Sequence, residues 1–141
     1  MEDLELASHL LETERLNLVI VRKGEILESS REKGIYPLFK AIRDKGDSLS
    51  GAALADKIVG RAIAMLCLYA RLASVYADMA SQGALDLLKE QGIDVTSKRI
   101  VPNILNYDGT DFCPFEKLAQ SATSPSQLFL TLGSLFTEVN E

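Results

Sequence analysis

The chain has 141 residues, 47% hydrophobic and 25% charged, the proportions of an ordinary globular protein long enough to bury one sizeable core. Its net charge of -5, from 20 acidic and 15 basic residues, excludes a broad electrostatic footprint on nucleic acid, which needs clustered Lys and Arg. A membrane-spanning helix is excluded too, because the longest apolar run, Ala62 to Ala70, is far short of the roughly 20 residues such a helix needs.

In chain order, EDLELASHLLETE places Leu4, Ala7, Leu10 and Leu11 at helical spacing, with acidic residues in the first turn where the helix dipole favours them. A short amphipathic helix over residues 1–14 is expected, with His9 on its surface. Glu2, Asp3 and Glu5 are the wrong charge for a secretory signal, and a cytoplasmic protein is expected. LNLVIV, the turn RKGE and ILESS then read as a β-hairpin, with Gly24 supplying the positive φ of a tight turn. IYPLFKAIRDKG reads as a helix from near Pro37 to Gly46, and DSLSG as a loop with Ser50 as the N-cap of a central helix.

That central helix is read from GAALADKIVGRAIAMLC, Gly51 to Cys67, an apolar run broken only by Asp56, Lys57, Gly60 and Arg61. At 3.6 residues per turn those four share one stripe, and the run reads as one buried helix carrying a polar site. LASVYADMA has the composition of a buried strand, and SQGALDLLKEQG reads as a helix between Ser81 at its N-cap and Gly92 at its stop. IDVTSKRIVPNIL supplies another strand. The strand, helix, strand order requires a right-handed crossover and a parallel pair. After the turn NYDGTD, one helix opens at CPFEKLAQ and a last one at SPSQ, over residues 124–139, packed on the rest. Its stripe of Leu128, Phe129, Leu132, Phe136 and Val139 reads as core packing or as a homodimer contact. One domain over residues 1–141 is expected, with a mixed four- to five-stranded sheet between helices in three layers, α-β-α. Cys67 and Cys113 read as free thiols.

The blocks LNLVIVRKGEI, ADKIVGRAIAML, the strand and helix around Ser81, VPNILN and CPFE together carry a likeness. The chain resembles a family of small prokaryotic proteins, a domain of unknown function grouped by fold with the cytidine deaminase-like superfamily, over roughly Leu16 to Leu132. Where the family pattern has Asn-Arg ahead of the cysteine block, this chain has Asn106 and Tyr107. The resemblance implies a deaminase-like fold, and zinc deaminases carry H-x-E at one helix start and P-C-x-x-C at the next. Here the corresponding stretches are ALADKIV and MASQGAL, and with one histidine and two separated cysteines no zinc site is expected.

The candidate catalytic residues are Asp56 and Lys57, in the region where the superfamily places its catalytic groups, and Cys113. Lys57 would serve as base or covalent amine with Asp56 tuning its charge; alternatively the pair is structural, Lys57 snorkelling to solvent. Cys113 at a helix N-terminus is a candidate nucleophile, opposed by Asp111 and Glu116 and lacking a histidine base. Lys57 and Arg61, read as an i, i+4 pair, would repel unless an anion lay between them. Gly60 costs helix stability and implies a close approach. Ser81, Gln82 and Gly83 open a helix after a strand, where backbone amides hold anions. With Asn106 and Glu116 these residues form the expected binding set for a small anionic or nucleotide-like ligand. No metal or cofactor is called for, and the alternatives are an enzyme of unknown reaction or a protein-interaction module.

Overall fold

The computed structural model describes residues 2–140, with side chains described through Thr137. Helix α1 (Asp3–Thr13) precedes strands β1 (Leu18–Arg22) and β2 (Glu25–Ser30), joined by a turn with Lys23 at φ 51° and Gly24 at φ 78°. Two left-handed residues in succession define the type I′ turn that suits strand twist. Asp3 of α1 clamps that turn, its carboxylate accepting from the N–H groups of Lys23 at 2.8 Å and Gly24 at 2.9 Å. Helix α2 (Tyr36–Lys45) ends at Gly46, and a 3-10 turn (Gly46–Leu49) leads into strand β3 (Ala53–Val59). The chain continues through α3 (Arg61–Tyr69), β4 (Ser74–Ser81), α4 (Gln82–Glu90), β5 (Asp94–Val101), α5 (Pro114–Ser121) and α6 (Pro125–Asn140).

The expected single helix over Gly51–Cys67 is therefore two elements. Ala53–Val59 is a strand, Gly60 is the break, and the helix starts at Arg61. The physical reason is position in the sheet. Strand order is β2-β1-β3-β4-β5, which puts β3 in the centre, antiparallel to β1 and parallel to β4. A central strand covered on both faces is apolar without alternation, so its sequence looks like a buried helix. Ser50 accordingly caps no helix; it stands between the 3-10 turn and β3, its N–H bonded to Asp47 C=O at 3.1 Å.

The fold is a three-layer α/β sandwich with a five-stranded mixed sheet, and the expected parallel pair is β4 with β5. One face of the sheet is covered by α1, over a small core of Ala7, Leu11, Val19, Val21 and Ala55. The other carries the larger core, built from Leu54, Val75 and Ala77 of the sheet with α2, α3, α4 and α6. In α6, Leu128 and Leu132 are fully buried, while Phe129 and Phe136 join Tyr36, Phe39, Tyr69 and Phe115 in an aromatic cluster. Leu130 on the opposite side of α6 is exposed, and Val139 of the expected stripe has its side chain outside the described residues. Among the described residues no helix is long and apolar enough to cross a membrane.

Candidate functional site

Two cavities open where the parallel strands β3 and β4 end and α3 and α4 begin, the place where open α/β sheets hold ligands. The larger, about 420 Å³, is lined by Asp56, Lys57, Gly60, Cys113 and Glu116 among apolar walls of Ile35, Ile58, Ile63, Ile104 and Phe115. The smaller, about 140 Å³, is lined by Arg61, Ser81, Gly83, Asn103 and Gln120. Ile104 and Glu116 border both. The structure thus gathers most of the expected residues around one partition. Gln82 and Asn106 line neither cavity. The Gln82 amide donates to Asp86 on the surface of α4 at 2.9 Å. Asn106 organises its own loop, its Oδ1 accepting from Thr110 N–H at 3.1 Å.

Glu116 is the keystone of the partition. It is 8% exposed, and its two oxygens accept from the N–H groups of Arg61 and Ala62, each at 2.8 Å. Those amides open α3 and have no partner within that helix, so the carboxylate caps α3 and meets the positive end of its dipole. CPFE reads as a capping box for its own helix, but Glu116 reaches across to α3 instead. Cys113 makes no side-chain cap either; its backbone C=O accepts from Glu116 N–H at 2.9 Å. The close approach expected at Gly60 is this carboxyl group: a Cβ on Gly60 would lie 2.6 Å from Glu116 Cδ and 2.8 Å from Ile104 Cγ1.

Asp56 and Lys57 are strand residues, not members of a helical stripe with Arg61, so the repulsive i, i+4 pair of Lys57 and Arg61 does not arise. Alternation along β3 turns the two side chains to opposite faces, Asp56 with Leu54 toward α3 and Lys57 with Ala55 toward α1. Asp56 is 8% exposed. Its Oδ1 accepts from Ile58 N–H at 3.1 Å, and no side chain among the described residues donates to it. Burial pushes its pKa up to about 8, with the charge of Asp78 adding to the rise and the N–H groups of Ile58 and Lys57 opposing it. Burial thus favours the protonated acid near neutral pH. Cys67, buried in α3, is pushed far above the ordinary thiol range by burial and then by Asp56, and is inert.

Ser81 caps α4 as expected, its Oγ accepting from Ala84 N–H at 3.2 Å. The guanidinium of Arg61 makes no hydrogen bond or ion pair among the described residues while bordering the smaller cavity. Reading along the sequence missed the cavity walls. Ile58, 46% exposed, becomes legible only once ADKIV is taken as a strand, since alternation then puts it on the face of Asp56.

ALADKIV is strand rather than helix, and the helix openings that follow β3 and β4 are Gly60-Arg61-Ala62 and Ser81-Gln82-Gly83. Neither brings a sulfur or imidazole donor, and the nearby carboxylate, Glu116, already spends both oxygens on amides. Among the described residues no three His, Cys, Asp or Glu side chains are grouped to hold a metal. The donor set does not fit zinc.

Fold and site define a one-sheet α/β protein with a paired cleft at its strand ends and no zinc-binding set among the described residues. Residues 6–136 match the domain of unknown function DUF1893, and the chain belongs to that family. A DUF1893 family protein from Thermotoga maritima is similar in structure at 29% identity and TM-score 0.83, covering 94% of this chain and 88% of its own. A diaminohydroxyphosphoribosylaminopyrimidine deaminase/reductase from Thermotoga maritima (16% identity, 58% of this chain, 29% of that chain) has TM-score 0.49. The dCMP deaminase of cyanophage S-TIM5 (15% identity, 70% of this chain, 90% of that chain) has TM-score 0.47. No protein of curated function matches the sequence.

Proposed function

We propose that this chain is a ligand-binding domain that takes a small anionic or nucleotide-like molecule across its two adjoining cavities, without zinc. The observation that carries this reading is the shared partition of Ile104 and Glu116, with an apolar cavity on one side and, on the other, an Arg61 unpartnered among the described residues. A ring fits the apolar side. A phosphate or carboxylate fits the side where Arg61 and the first-turn N–H groups of α4 converge. Glu116 does not compete for that charge through free oxygens, since both are bonded to α3.

A second reading, an enzyme, is favoured by the buried acid itself, because a carboxyl with pKa about 8 in a cleft is suited to proton transfer near neutrality. In that reading Asp56 moves the proton, with Lys57 and Cys113 bordering the same cavity.

The test is a thermal-shift titration with nucleoside monophosphates and with inorganic phosphate. A saturable rise in Tm is expected for a nucleotide, and Arg61→Gln weakens it about tenfold, the lower range for losing a hydrogen bond to a charged group. Absence of any shift, with Arg61→Gln without effect, overturns this reading in favour of a protein-interaction module.

A further inference from the structure

Asp56 is placed to read the edge of a ring. It borders the larger cavity beside Ile58, Ile63, Ile104 and Phe115, and among the described residues it accepts only from backbone N–H groups and makes no ion pair, although Lys33 and Lys57 border the same cavity. Resting on the proposed function, in which the cavities hold a small molecule, we propose that the Asp56 carboxyl recognises a planar ring bearing a lactam edge. It donates its O–H to the ring carbonyl oxygen and accepts from the adjacent ring N–H.

A protonated carboxyl presents a donor and an acceptor side by side, which is the complement of a lactam; a carboxylate offers acceptors alone. The cavity supplies the rest, with about 420 Å³ of space and aliphatic and aromatic walls for the two faces of a ring. The proton on Asp56 is kept chiefly by burial, and among the described residues no lysine or arginine offsets that effect by pairing with it. On α3, Cys67 is a neutral thiol; on β4, the charge of Asp78 raises Asp56 further. From α5 and its N-cap, Glu116 is bound to the α3 amides and Cys113 borders the cavity, while Lys33 ahead of α2 and Lys57 of β3 border it without pairing with Asp56. A negatively charged ring placed here would be desolvated among apolar walls, whereas the cavity of Arg61 offers a guanidinium to pair with negative charge.

The probe is 2-pyridone, a lactam neutral at both pH 6 and pH 9, with benzoate as an anionic ring of similar size. Binding to the full chain is followed through the backbone amide signals of Ile58 and Ile63. The expected result is binding of 2-pyridone at pH 6, weaker by about tenfold at pH 9 as Asp56 loses its proton, and no perturbation by benzoate. Asp56→Asn keeps a donor and an acceptor, so it should bind 2-pyridone equally at both pH values. Asp56→Leu, checked for an intact fold by its melting transition, should lose binding. Equal affinity of the wild type at pH 6 and 9, undiminished binding by Asp56→Leu, or no binding at pH 6 overturns the inference. If a nucleotide shift that needs Arg61 survives such a result, the proposed function stands without it; if that shift is absent as well, both fall.

Discussion

Replacing Asp56 by asparagine should stabilise this protein, and the gain should grow with pH. An exposed aspartate has a pKa of 3.8, whereas Asp56 in the fold holds its proton to about 8, because burial disfavours the charge. Between those values the folded chain binds one proton that the unfolded chain has released. Stability therefore falls as pH rises through that window, by about 1.4 kcal/mol per unit, and levels off above pH 8. The cost reaches about 1.5 kcal/mol at pH 5 and about 4 kcal/mol at pH 7, a large share of the 5–15 kcal/mol that small domains usually have. Asparagine is nearly isosteric, its Oδ1 can still accept from Ile58 N–H, and it does not titrate. Urea denaturation of the two proteins at half-unit steps from pH 5 to pH 9 isolates this group, since all other titrations cancel in the difference. The difference should widen with that slope and then become flat. A constant difference from pH 5 to pH 8 would refute the argument, since it would mean that Asp56 ionises in the fold as it does in the unfolded chain.

Gly60→Ala should destabilise by about 1–3 kcal/mol, because the new methyl group overlaps the Glu116 carboxyl and Ile104. Glu116→Ala should cost about 2–4 kcal/mol by freeing the Arg61 and Ala62 amides, and the double variant should be less unstable than the sum by at least about 1 kcal/mol; strict additivity would sink the steric account. Asp3→Ala should cost about 1 kcal/mol and speed hydrogen exchange at Lys23 and Gly24 while leaving exchange in β4 unchanged; unaltered exchange at the turn would show that the clamp contributes nothing.

Elements whose signal is local were legible before any folding. Gly24 after Lys23 marks the hairpin, Ser81 caps α4 three residues ahead of Ala84, and Pro114 and Pro125 open the last two helices, because turns and caps depend on residues a few positions apart. The order of elements around Ser81 likewise required the β4 and β5 pair to be parallel. Tertiary structure alone decided the rest. Ala53–Val59 became a strand because β1 and β4 flank it and helices cover both its faces, which erased the alternation that would have announced it. Glu116 caps α3 rather than its own helix because α5 docks against that N-terminus, across 55 residues of chain. Asp56 and Lys57, adjacent in sequence, were turned to opposite faces by the strand they occupy, which sets Asp56 beside Ile58 rather than in a helical stripe with Arg61. Which charges meet is a property of faces and ends packed from distant segments, and no spacing along the chain encodes it.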